Sequence, residues 1–213
     1  MAQHEAATAA PAQTPPFASR IADPGPLGLA GFAGTTFFLS VVNTNMLGSS
    51  VQGGVLGLAL FYGGIAQLLA GMWEFTKGNT FGALAFASYG AFWLSFWYLI
   101  NHVVPSLVAE KAGVPDILHG IGVYLLVWAI FTAYMTIASL RTTGAIAAVF
   151  VALTVTFVLL AIGAFATGTT ATDMTKAGGW AGLVTAALAW YASFAGVTNS
   201  TFKRTVLPTY PLS

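Results

Sequence analysis

Residues 24–73 read PGPLGLAGFAGTTFFLSVVNTNMLGSSVQGGVLGLALFYGGIAQLLAGMW, fifty consecutive positions without an Asp, Glu, Lys or Arg. A charge at the centre of a bilayer costs on the order of 3 kcal/mol on insertion scales, so a lipid-embedded chain excludes charge in this way. The run is long enough for two membrane-spanning helices of about 20 residues each, with the turn-forming residues of 43–50 between them. Outward from it the exclusion repeats at 78–109, 117–140, 142–172 and 177–202, so that the 7 basic and 6 acidic residues all lie at the edges of apolar stretches. The sequence therefore predicts an all-α, polytopic membrane protein.

Composition agrees, with 57% hydrophobic and only 6% charged residues, against about 25% charged in soluble domains. A net charge of +1 with one adjacent basic pair, Lys203 and Arg204, argues against nucleic acid, which needs clustered cations. The absence of cysteine rules out disulfides and thiolate chemistry. Residues 1–22, rich in Ala, Pro, Gln and Thr, lack the basic start and apolar run of a signal peptide and are expected to be a disordered tail. A six-helix domain is expected at 23–208 and a short C-terminal tail at 209–213.

Six spans are predicted, at 26–45, 51–73, 80–101, 117–140, 142–165 and 177–199, joined by short loops. The breaks are read from Lys77, Gly78 and Asn79, from Val104 and Pro105 with Val114 and Pro115, and from 167–172. An even number of spans places both termini on one side. Assigning that side to the cytoplasm gives it Arg20, Lys77, Arg141, Lys203 and Arg204 and leaves Lys111 and Lys176 outside, which is the sense of the positive-inside rule. Continuous apolar runs replace the alternation a β-barrel would need.

Membrane helices approach one another through small residues. Gly28, Gly31 and Gly34 recur in the first span, and Gly53 and Gly57, then Gly64 and Gly71, in the second. In the third, Tyr89, Phe92, Trp93, Phe96 and Trp97 share one helical face, as expected of a lipid-facing or interface surface.

Polar interruptions of the spans are neutral. Thr35, Thr36, Ser40 and Asn43 fall on one broad face of the first span with Phe32, a candidate path lining of hydroxyl and amide groups. Thr154, Thr156 and Thr185 either join such a lining or bond back to the carbonyl one turn earlier. The Gln67 amide needs a partner outside its own helix. Hydroxyl and amide donors replace part of the water around a small anion without trapping it, so a small weak acid or neutral solute suits this lining. Proton coupling has only a few candidates, Asp23, Glu74, His102 and His119, or the undissociated acid itself. Glu74 near Lys77 also reads as an ordinary interfacial ion pair. No HExxH, GxSxG or P-loop pattern occurs, the histidines are not spaced as metal ligands, and no span carries a Lys for a retinal Schiff base. No enzyme activity, metal or cofactor is expected.

Residues 23–36, DPGPLGLAGFAGTT, resemble the NPAPLGL…GF…TT signature of the acetate uptake transporter family, the succinate–acetate permeases. Collinear runs agree: FYGGIAQLLAGMWEFTKGNTFG at 61–82, SYGAFW at 88–93, GVYLLVW at 122–128, LTVTFVLLAIG at 153–163, GGWAGL at 178–183 and RTVLP at 204–208. The resemblance covers nearly all of the chain beyond residue 22. It implies six transmembrane helices, a homo-hexamer with one path per subunit, an inner or plasma membrane location, and transport of acetate and often succinate with protons. It also implies a hydrophobic constriction of Phe32, Tyr89 and Leu153, which would penalise a charged carboxylate more than its neutral acid. Ala189 matches a path-lining position, where a small side chain leaves room for substrates larger than acetate. Two departures are Asp23 and Gly25, where the signature has Asn and Ala; Asp23 adds a negative charge or a proton site at the entry. Two other readings of an uncharged lining stay open, a passive pore for neutral solutes such as ammonia and a membrane sensor without flux.

Overall fold

The computed structural model describes residues 21–212. The N-terminal tail expected at 1–22 thus lies, through Arg20, outside the described residues. Among the described residues six helices are long and apolar enough to cross a membrane: α1 Gly25–Asn43, α2 Ser50–Thr76, α3 Thr80–Ala109, α4 Val114–Ser139, α5 Gly144–Phe165 and α6 Gly168–Phe202. Among the described residues the only β pairing is an isolated antiparallel bridge between Thr143 and Pro211. The fold is all-α, as the sequence predicts.

Two helices depart from their expected bounds. α3 does not stop before Val104 and Pro105 but runs on to Ala109, passing through a π-helical turn at Leu99–Val103. That wider turn accommodates a proline ring that would otherwise press on the carbonyl one turn earlier. α6 starts at Gly168 rather than 177 and spans 35 residues, about 52 Å at 1.5 Å per residue. Asp173 and Lys176 end the apolar run but not the helix, which extends past the hydrocarbon core by about two turns.

The helices close into a ring in which α1 packs on α6, α6 on α5, α5 on α4, and α2 on both α3 and α1. Glycine lets backbones touch at these seams. A Cβ added to Gly90 of α3 would stand 2.6 Å from the Leu68 nitrogen of α2, and one on Gly31 of α1 would stand 2.6 Å from the Tyr62 carbonyl oxygen. Added Cβ atoms on Gly53 and Gly57 would meet nothing within 4 Å, so this pair faces outward. α3 and α4 meet instead through rings: Phe92 packs against Trp128 at a centroid distance of 5.1 Å, and Tyr89 against Phe131 at 5.3 Å. Tyr89, Phe92, Trp93 and Phe96 are buried, so the aromatic face of α3 turns into the bundle.

α2 is interrupted by a π-helical stretch at Phe61–Ala66. One extra residue in a turn rotates all that follows by about 100°, and this turns Gln67 and Glu74 inward. Gly63 and Gly64 in the stretch leave room for Thr35 and Trp93 on one side and Leu94 on the other. At the other end of the chain, the last described residues are bound to the start of α5. The Gly144 N–H donates to Tyr210 O at 2.7 Å, Ala145 N–H to Thr209 O at 3.2 Å, and Leu212 N–H to Thr142 O at 3.0 Å.

Candidate functional site

Two cavities enter the bundle from opposite faces. The first, about 330 Å³, opens on the face that carries residue 21 and the C-terminal segment, and is lined by side chains of α1, α2, α3, α5 and α6. Phe32, Tyr89 and Leu153 are among its lining residues, as are the polar groups Asp23, Gln67, Glu74, Asn79, Thr142 and Thr143. The second, about 590 Å³, lies toward the opposite ends of the helices, between Asn43 and Gln52 on one side and Leu160, Thr172 and Lys176 on the other.

Two helical turns separate their lining residues. On α1 the order is Phe32, Thr36, Leu39; on α3 it is Tyr89, Phe92, Phe96; on α5 it is Leu153, Phe157, Leu160. In each case the first residue lines the first cavity and the last lines the second. The Phe32 and Tyr89 rings are 5.6 Å apart between centroids. One layer deeper, Phe92 and Phe157 meet edge to face at 5.3 Å and 89°. The barrier therefore holds two layers of side chains, and the lining residues of the two cavities stand about 10 Å apart along the helix axes. Phe92 and Phe157 were not singled out from the sequence as path residues, because an aromatic side chain in an apolar span carries no signal of its own.

The polar residues divide sharply. Thr154, Thr156 and Thr185 each donate to the carbonyl one turn earlier, at 2.8 to 2.9 Å, and their hydroxyls also meet across helices, Thr154 with Thr136 at 2.8 Å and Thr156 with Thr185 at 3.2 Å. Thr35 lines neither cavity: its hydroxyl bonds Gly31 O at 2.9 Å and approaches Leu58 O at 3.4 Å. Ser40 is buried and packs where Gly182 of α6 has no side chain. Ala189 is fully buried in the core cluster that holds Phe32, Leu153 and Phe157. By contrast, Thr36 Oγ1 and Gln67 Oε1 are buried and have no hydrogen-bond partner among the described residues. Burying such a group unpaired costs about 1–3 kcal/mol. Gln67 lines the first cavity and Thr36 lies in the barrier between the two. Asn43 lines the second cavity.

Two acidic residues, Asp23 and Glu74, stand at the first mouth. Glu74 is 2% exposed, and its Oε2 accepts a hydrogen bond from Asn79 Nδ2 at 2.8 Å. Asn79 Oδ1 in turn accepts from Gly82 N–H at 3.1 Å, capping α3. Asp23 Oδ1 accepts from Gly25 N–H at 3.0 Å at the start of α1. Lys77 does not pair with Glu74; its ammonium donates to Ile21 O at 3.5 Å. Among the described residues no group of three or more His, Asp or Glu side chains is gathered in the manner of a metal site.

Residues 6–213 match the sequence profile of the GPR1/FUN34/yaaH family. The chain is 42% identical over 192 residues to the succinate-acetate/proton symporter SatP of Escherichia coli strain K12, covering 89% of this chain and 96% of that one. It is 41% identical over 189 residues to ammonia transport outward protein 2 of Saccharomyces cerevisiae, covering 89% of this chain and 66% of the yeast protein. Among solved structures, that of the bacterial acetate channel SatP superposes with a TM-score of 0.79 at 40% identity, covering 89% of this chain and 99% of that one.

Proposed function

The chain belongs to the GPR1/FUN34/yaaH family, and from that premise we propose that it carries acetate and succinate across a membrane along the axis of its two cavities. It is a multi-pass membrane transporter, not an enzyme. The observation that supports this path most directly is the back-to-back placement of the cavities across the two layers formed by Phe32, Tyr89, Leu153, Phe92 and Phe157. The barrier is built mainly of apolar rings, so a charged carboxylate pays a larger dehydration cost there than its neutral acid. Asp23 and Glu74 at the first mouth are the groups placed to exchange a proton with the substrate, and Gln67 Oε1 and Thr36 Oγ1 mark polar stations on the way.

The subunit assembles as a homo-hexamer with one path in each copy and with both termini in the cytoplasm. The outward-facing Gly53 and Gly57, whose added Cβ atoms would meet nothing, offer a close lateral seam for a neighbouring copy. A second reading, a passive pore for ammonia, draws support from the same uncharged barrier and from the yeast relative named for ammonia export.

The test is uptake of labelled acetate into proteoliposomes with and without an inward proton gradient, with unlabelled succinate as competitor. Gradient-dependent accumulation competed by succinate is the expected result. Equilibration without accumulation identifies a carboxylate channel. Ammonia-driven pH change without carboxylate competition selects the pore, and no flux of either kind leaves a sensor.

A further inference from the structure

The second cavity differs from the first in the sign of its charge. Lys176 is the charged residue that lines it, with the side chains of Asn43, Asn45, Gln52, Thr172 and Thr175, whereas Asp23 and Glu74 line the first. Asp173, three residues before Lys176, is exposed and does not line the cavity. Among the described residues Lys176 makes no ion pair, and the side chains of Asn43, Gln52, Thr172 and Thr175 make no hydrogen bond. This separates them from the hydroxyls of the helix interiors. Thr132, Thr136, Thr154, Thr156 and Thr185 all spend their proton on a carbonyl one turn earlier. A half-buried lysine that shares its cavity with unspent amide and hydroxyl groups, at the end of a path closed by apolar rings, is suited to receive an anion.

The geometry points to a carboxylate-binding site in the second cavity, in which Lys176 holds the anion and Asn43, Gln52, Thr172 and Thr175 supply hydrogen bonds. Its ligand class rests on the transport reading above. The site captures substrate in its ionised form and loads it against the Phe92–Phe157 layer. A dicarboxylate engages it more strongly than a monocarboxylate, because its second carboxylate also falls in the field of Lys176 and the free donors around it.

Two measurements on the full-length protein test this, one of them independent of flux. In the first, the rate at which an amine-directed reagent modifies Lys176 is followed by mass spectrometry at neutral pH. Succinate is expected to slow that rate, and acetate to slow it less, relative to chloride of equal ionic strength. In the second, Lys176→Gln in proteoliposomes is expected to raise the half-saturating succinate concentration about tenfold, the size of one charge-assisted hydrogen bond. Its maximal rate should be unchanged, and Lys176→Arg should retain most of the affinity. Absence of protection, or a half-saturating concentration in Lys176→Gln within about twofold of the parent, overturns the assignment. Protection in a protein that shows no carboxylate flux keeps the site and removes the transport reading instead.

Discussion

The Tyr89 phenol donates its proton across the α3–α4 seam to Thr132 Oγ1, 2.9 Å away. The direction is fixed because the Thr132 hydroxyl already donates to Trp128 O at 2.7 Å. The bond points the Tyr89 hydroxyl away from the path and leaves its ring to face Phe32. Tyr89→Phe is therefore expected to cost about 1 kcal/mol of stability and to leave acetate uptake close to that of the parent. Thermal melting in detergent and labelled uptake measure the two. A large loss of uptake with an intact melt would mean that the hydroxyl acts on the substrate.

Phe32→Ala removes a ring from the floor of the first cavity. The expected cost in stability is about 3 kcal/mol, accompanied by faster entry of larger carboxylates and a weaker dependence on external pH. Uptake of acetate, succinate and a longer dicarboxylate across a pH series checks this. Unchanged flux, selectivity and pH dependence would count against Phe32 as part of the barrier.

Asp23→Asn keeps an oxygen that accepts from Gly25 N–H and so preserves the start of α1, while removing one of two negative charges at that mouth. If repulsion dominates there, the half-saturating acetate concentration at neutral pH falls about threefold, and the difference shrinks as salt is raised. Reduced uptake would assign Asp23 to proton exchange.

Ala189→Phe adds a ring to the fully buried cluster around Phe32, Leu153 and Phe157. Overpacking of this kind costs about 1–3 kcal/mol. Narrowing of the barrier is expected to reduce succinate uptake more than acetate uptake. Equal losses would remove a size filter from this position.

Gly90→Ala places a methyl carbon 2.6 Å from the Leu68 nitrogen, a contact only a shift of the α2 and α3 backbones can relieve. A loss of about 3 kcal/mol is expected, read as an early thermal transition in detergent. Gly120→Ala, where an added Cβ meets nothing within 4 Å, is the control and should leave the transition in place.

Charge exclusion made the number of helices legible, because lipid penalises charge wherever a helix crosses it. The same signal misplaced the ends of α3 and α6, since charge marks the edge of the hydrocarbon rather than the end of a helix. Asp173 and Lys176 lie within α6, and Pro105 lies within α3. Gln67 was legible as a polar group needing a partner, and the structure leaves its Oε1 without one. Its inward direction was not, because that depends on the π-helical stretch at Phe61–Ala66. Lys176 read as an interfacial charge, and only the folding of α1, α2 and α6 around one cavity gives it company.

The last few residues fasten the chain to the rim of the first cavity, since Thr142 and Thr143 line that cavity and Leu212, Tyr210 and Thr209 bond to the chain at 142–145. The segment at 209–212 is accordingly part of the frame of that opening. Displacing that segment would strip three backbone hydrogen bonds from the start of α5, beside the residues that frame the opening.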